Sequence, residues 1–172
     1  MSRWLILIVL ALTACGQLSG GATPPPPAPT PTPSLQAAAL ARLGVPAPPD
    51  GVPYQPGSFA AQDPGLDNYV GLINSSFIDG MQLQNQELET NEVYVSQQSP
   101  AALRAFYEAR LKEAGWELFQ ASDEPGRIRE LLLYQRRDTD AGYGLYINLT
   151  SNPNNRQDPN TYVFLIVGRS IQ

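Results

Sequence analysis

Few side chains in this 172-residue chain could do chemistry. It has no histidine and one cysteine, Cys15. Ser-His-Asp and Cys-His catalysis both need an imidazole base, so neither can be assembled. Zinc, copper and non-haem iron sites of the usual kind rest on His or Cys and are excluded with them. A lone cysteine also leaves no intrachain disulfide. What remains is carboxylate chemistry and the aromatic side chains. Asp123 with Glu124, and Asp138 with Asp140, are close carboxylate pairs, but each lies in a turn signal, where acidic residues cap and solubilise. A glycosidase needs two carboxyls facing each other across a cleft at ~5 Å or ~6.5–9.5 Å, and nothing in these spacings builds one.

Asp138-Thr139-Asp140 with Gly142 shares part of a calcium-loop pattern. The glycine falls at the fifth position rather than the sixth, and position 12 is Leu149, which has no carboxylate to offer. Asn152, Asn154, Asn155, Asp158 and Asn160 supply further oxygen atoms, and a long polar hairpin tip accounts for them equally well. No metal or cofactor is expected. Tyr134, Tyr143, Tyr146, Tyr162 and Phe164 cluster in strand-like segments. On an open sheet face such rings could bind sugars, peptides or a partner, because tyrosine suits half-wet surfaces. In the core they would be cross-strand pairs. Tyr134, Tyr146, Tyr162 and Phe164 are the candidate ligand-binding residues.

These residues need a scaffold, and the clearest element in it is a helix over residues 99–114. Ser99 is a natural N-cap, Pro100 fits the first helical position, and Gly115 follows Ala114 as the left-handed stop. Leu103, Phe106, Tyr107, Leu111 and Ala114 form one stripe, and Glu108 with Lys112 is spaced for an i,i+4 pair. A strand over 116–120 follows, opening at Trp116. Three more are predicted over 128–135, 143–150 and 161–168, with turn-forming residues between them. Short turns between successive strands imply an antiparallel meander, with the 99–114 helix on one face. Upstream, a strand is expected near 88–95 and a short helix near 34–44. Residues 66–81 carry helical spacing, with Asp67 or Asn68 as cap and Gly80 as stop, although 69–73 could instead be a short strand. The Pro/Gly-rich stretch 45–65 is read as lacking regular structure, either a loop packed through Val52, Tyr54 and Phe59 or further linker. The expected class is α+β: about 4–5 antiparallel strands on one main helix, with one or two smaller N-terminal helices.

The N-terminal segment has a different character. Arg3 precedes an apolar run over residues 4–12, too short for a ~30 Å bilayer core, which takes about 20 helical residues. A charged start, a short apolar stretch and small residues before a cut site are the parts of a secretory signal. Leu12-Thr13-Ala14-Cys15 resembles the lipobox of bacterial lipoproteins. That resemblance implies diacylation of Cys15, removal of residues 1–14 as a signal peptide, and attachment to the extracytoplasmic face of a cell membrane. Stable anchoring takes two acyl chains, which a diacylglyceryl group supplies. Residues 15–34 then form a proline-rich linker, extended at about 3.1 Å per residue, and residues 35–172 a single globular domain.

Loss of Arg3 with the signal would move the formal net charge from −5 to −6. An acidic domain lacks the clustered Lys and Arg that phosphate backbones require, so nucleic acid is excluded as a partner. The order of strand, helix ending in Gly115-Trp116, then several strands is similar to small extracytoplasmic modules of bacterial lipoproteins, over roughly residues 89–171. The expectation is a non-catalytic binding or interaction module, with an envelope protein among the partners. A carrier of small apolar ligands or lipids is the alternative, and a carboxylate hydrolase comes third.

Overall fold

In the computed structural model, residues 34–58, 63–122, 129–152 and 154–170 are described. All of them belong to the unit Thr32–Gln172. The predicted signal and lipobox, Phe59, and the Asp123/Glu124 pair lie outside the described residues. Those that are described form α1 (Leu35–Arg42), β1 (Val52–Pro53), α2 (Leu66–Leu83), β2 (Gln86–Ser96) and α3 (Pro100–Glu113). They continue with β3 (Glu117–Ala121), β4 (Arg129–Arg137), β5 (Gly142–Ser151) and β6 (Thr161–Ser170). The strands make one antiparallel sheet in the order β1-β2-β6-β5-β4-β3. The fold is α+β, as the patterning predicts.

The strands β3 to β6 are the expected meander, and β2 then pairs along the far side of β6. This makes β6 a central strand, which explains why every residue from Thr161 to Gly168 is buried. Its run Val163-Phe164-Leu165-Ile166-Val167 is apolar on both faces, as a strand covered on both sides must be.

The sixth strand is β1, inside the proline-rich stretch read as irregular. Val52 sits opposite Val95 and Pro53 opposite Tyr94, and the Tyr54 N–H donates to Val93 O at 2.8 Å. A proline lacks the ladder donor, so it is tolerated on an outermost strand where one edge needs no partner.

α3 begins where its local signals place it. The Ser99 hydroxyl accepts from Ala102 N, Pro100 occupies the first turn, and Gly115 has φ +80°. Leu103, Tyr107 and Leu111 are fully buried on it. Glu108 pairs backward with Arg104 at 2.8 Å rather than forward with Lys112. The strand after it opens at Glu117, not Trp116, because the Trp116 ring is buried and its indole donates to Leu43 O at 3.0 Å. α1 is capped by Ser34 and packs beside α3 on the same face, forming one core with Leu145, Ile147, Leu149, Val163, Leu165 and Val167.

The larger difference is α2. It is a helix throughout, not a strand at 69–73, and at 18 residues it is longer than the 14-residue α3. Gly65 is the N-cap, Asp67 lies inside the first turn, and the helix passes Gly80 to end at Leu83. Asn85 then turns the chain with φ +56°. Leu66, Val70, Ile73 and Met81 bury a second core against Tyr162, Phe164 and Ile166. Helices therefore cover both faces of the sheet, where the sequence reading expected one to stay open. The apolar spacing of 66–81 is that of a covering helix, and β6 supplies its second apolar face.

Candidate functional site

The four candidate aromatics separate by face and depth. Residues of β5 alternate, so Leu145, Ile147 and Leu149 point to α1 and α3 while Tyr146 lies on the α2 side. Phe164 is buried under α2. Tyr162 is buried there too, its hydroxyl donating to Asp158 Oδ2 at 2.8 Å and its ring meeting that of Tyr54 edge-on at 6.3 Å. Tyr134 is buried on the opposite face, where burial pushes its phenol up to about 12. Of the four, Tyr146 is the one that keeps solvent exposure.

Tyr146 stands at a border. α2 packs on β2 and β6, leaving the α2-side face uncovered toward β4 and β3. That strip is a groove of about 320 Å³, at the low end of ligand-pocket volumes of roughly 300–1,000 Å³. Four of its polar groups are carboxamides: Gln84 just past α2, Gln86 at the start of β2, Gln120 on β3 and Gln135 on β4, with Ser170 at the end of β6 beside them. Phe119 and Leu133 supply its apolar surface. No Asp or Glu is among the residues that line it, although the chain as a whole carries net charge −5. Arg137 is exposed and also lines it, whereas the Arg136 guanidinium is engaged by Leu43 O and by Asp138 at 2.8 Å.

The Tyr146 hydroxyl lies 2.9 Å from Gln84 Oε1 and 3.2 Å from Gln86 Oε1. Its ring rests against Phe77 of α2 at 6.2 Å, and burial raises its phenol above the ordinary value. The Gln86 side chain can lie flat because glycines are beneath it. Gly144 and Gly168 are cross-strand partners. A Cβ on Gly144 would stand 3.0 Å from Gln86 Oε1, and one on Gly168 would stand 2.6 Å from the same atom.

The acidic positions do other work. Asn152 Nδ2 donates to Asp63 at 2.7 Å and to Asp158 at 3.2 Å, so an amide bridges those two carboxylates. Asn152, Asn155 and Asp158 each accept from a backbone N–H two residues on, as turn residues do. Among the described residues, no group of three or more His, Cys, Asp or Glu could hold a metal ion. The carboxyl of Asp50 is held below its ordinary value, chiefly by the Ser96 hydroxyl, the reverse of the raised carboxyl a general acid requires.

Sequence reasoning reached Tyr146 but missed the glutamines and Phe119. The available signal was parity: Leu133 is opposite Tyr146, Gln135 opposite Gly144 and Gln120 opposite Leu133, so all share one face. A comparison of the chain with protein-family models, curated proteins and solved structures finds no match. Among the described residues, no helix is long and apolar enough to cross a membrane.

Proposed function

We propose that this chain is a lipid-anchored extracytoplasmic lipoprotein whose globular domain is a non-catalytic binding module, with the Tyr146 groove as its ligand site. The observation that carries the site is the groove itself: four carboxamides and a phenol line a strip of sheet that α2 leaves open. The lipobox-like Leu12-Thr13-Ala14-Cys15 carries the anchor, and the absence of histidine supports a role without catalysis. The groove is open and polar, which favours a binding module over a carrier of apolar cargo.

Two measurements test the two parts. Wild-type protein should incorporate labelled fatty acid, and Cys15→Ser should lose the label and the membrane fraction. A labelled, membrane-bound Cys15→Ser protein would rule out the anchor. A photo-reactive residue at Gln135 should capture a molecule in intact cells. The same group at Glu113, on the opposite side of the sheet, is the control. Equal yields from both positions would end the assignment of the groove as a binding site.

A further inference from the structure

We infer that the Tyr146 groove takes an oligosaccharide, an inference that rests on the binding-module reading above. The first argument is the chemistry of the lining. A carboxamide donates through its NH₂ and accepts through its oxygen, the same dual capacity a sugar hydroxyl has. Gln84, Gln86, Gln120 and Gln135 place four such groups around one groove, without a carboxylate among its lining residues. Of the two arginines in the lining, Arg136 is already held by Leu43 O and Asp138, so the groove does not gather its cations in the fork-like clamp an anion site would use.

The second argument is the Tyr146 hydroxyl. It has a single proton and two acceptor oxygens in reach, at 2.9 and 3.2 Å. The phenol can donate to only one of them at a time, which leaves the other oxygen without the tyrosine's proton and able to accept from a ligand hydroxyl. The third is Phe119, which is 68% exposed on the groove. It sits in β3 where the register with β4 shifts between Leu118 and Gln120, and bulges of this kind re-aim side chains next to functional sites. Its flat apolar ring matches the C–H face of a pyranose. Gly142 and Gly144 keep the floor beside it low.

A peptide strand is the other polar ligand to weigh. Peptides that extend a sheet pair with the backbone of its edge strand. The outermost strand beside the groove is β3, whereas Tyr146 and Gln135 lie inward on β5 and β4. Edge pairing would leave them unused.

The experiment is a ¹H–¹⁵N titration of the full-length chain in a zwitterionic, sugar-free detergent. The probes are chitotetraose in its N-acetylated form, cellotetraose, maltotetraose and a neutral polar decapeptide. At least one sugar should shift the side-chain NH₂ signals of Gln86, Gln120 and Gln135 saturably, with Kd on the order of 0.1 mM for so shallow a site. Phe119→Ala and Gln135→Ala, both at exposed positions, should weaken binding at least tenfold with spectra otherwise intact. Leu72→Ala, on the exposed side of α2, should change nothing. No response to any sugar at about 10 mM overturns the inference, as does a sugar response that maps away from the groove. If the decapeptide alone shifts these signals, or Gln135 captures a ligand in cells while every sugar fails, the oligosaccharide is wrong and the binding module stands. Failure of both the titration and the capture removes both.

Discussion

Asn148 places a primary amide deep under α2. It is 1% exposed, lies between Leu131 and Phe164 across the strands, and neither its Nδ2 nor its Oδ1 has a hydrogen-bond partner among the described residues. An unpaired buried amide costs about 1–3 kcal/mol. Asn148→Leu, of similar size, should therefore stabilise the domain by about 1 kcal/mol or more, read as a higher urea midpoint at unchanged slope. A lower midpoint would show that the amide is satisfied. Asp50 is the opposite case. Its oxygens accept from the Ser96 hydroxyl at 2.6 Å and from Gln97 N at 2.8 Å. The hydrogen bond to Ser96 is the main reason its carboxyl lies below the ordinary 3.8, with burial acting against it. A lowered folded-state value means the contribution is present above the ordinary value and lost as pH falls through the folded one. Thermal midpoints of Asp50→Asn should thus fall less than those of wild type as the pH drops below about 4. Equal falls would remove Asp50 from the acid response.

Among the elements, the contact between the end of α2 and the sheet is the most sensitive. A Cβ on Gly168 would stand 2.5 Å from Met81 Cε, and Met81 is fully buried. A Cβ on Gly144 would meet nothing nearer than Gln86, a half-buried side chain, at 3.0 Å. Gly168→Ala should therefore cost about 1–3 kcal/mol by overpacking, and Gly144→Ala less, by the same urea titration. Equal losses would mean that Met81 moves aside freely. α3 was readable in advance because its cap, its proline and its apolar stripe are all local. β1 was not, since Val52 and Pro53 become a strand only through β2. The groove was unreadable for the same reason. Its position depends on where α2 stops over the sheet, which is set by long-range packing of Met81 against Gly168 and by no motif.

At the scale of the molecule, among the described residues, two separate cores meet back to back across one sheet, and β6 belongs to both. The prediction of one covered face came from one strong helix signal. Two covered faces follow once β6 is seen as central, because its apolar residues then face both ways. Tyr162 and Phe164, which the sequence offered as ligand rings, are the second core's main aromatic contribution. Tyr146, one strand further out, escapes that core in part and reaches the groove.

The place of β6 in the sheet has a consequence in time. It follows every other described strand in the chain, yet it joins β2 to the β3–β5 meander. Until residue 170 has been synthesised, α2 lacks the β6 part of its floor and β2 lacks the longer of its two ladders. Loop closure over so long a stretch is slow, because its entropy cost comes before any contact forms. A growing chain that lacks β6 therefore cannot close the six-stranded sheet, and a chain whose sheet is still open can pass end-first through a narrow pore. Protease resistance should accordingly appear on stalled nascent chains only once Ser170 has cleared the ribosome, and resistance at earlier stall points would show that the meander closes alone.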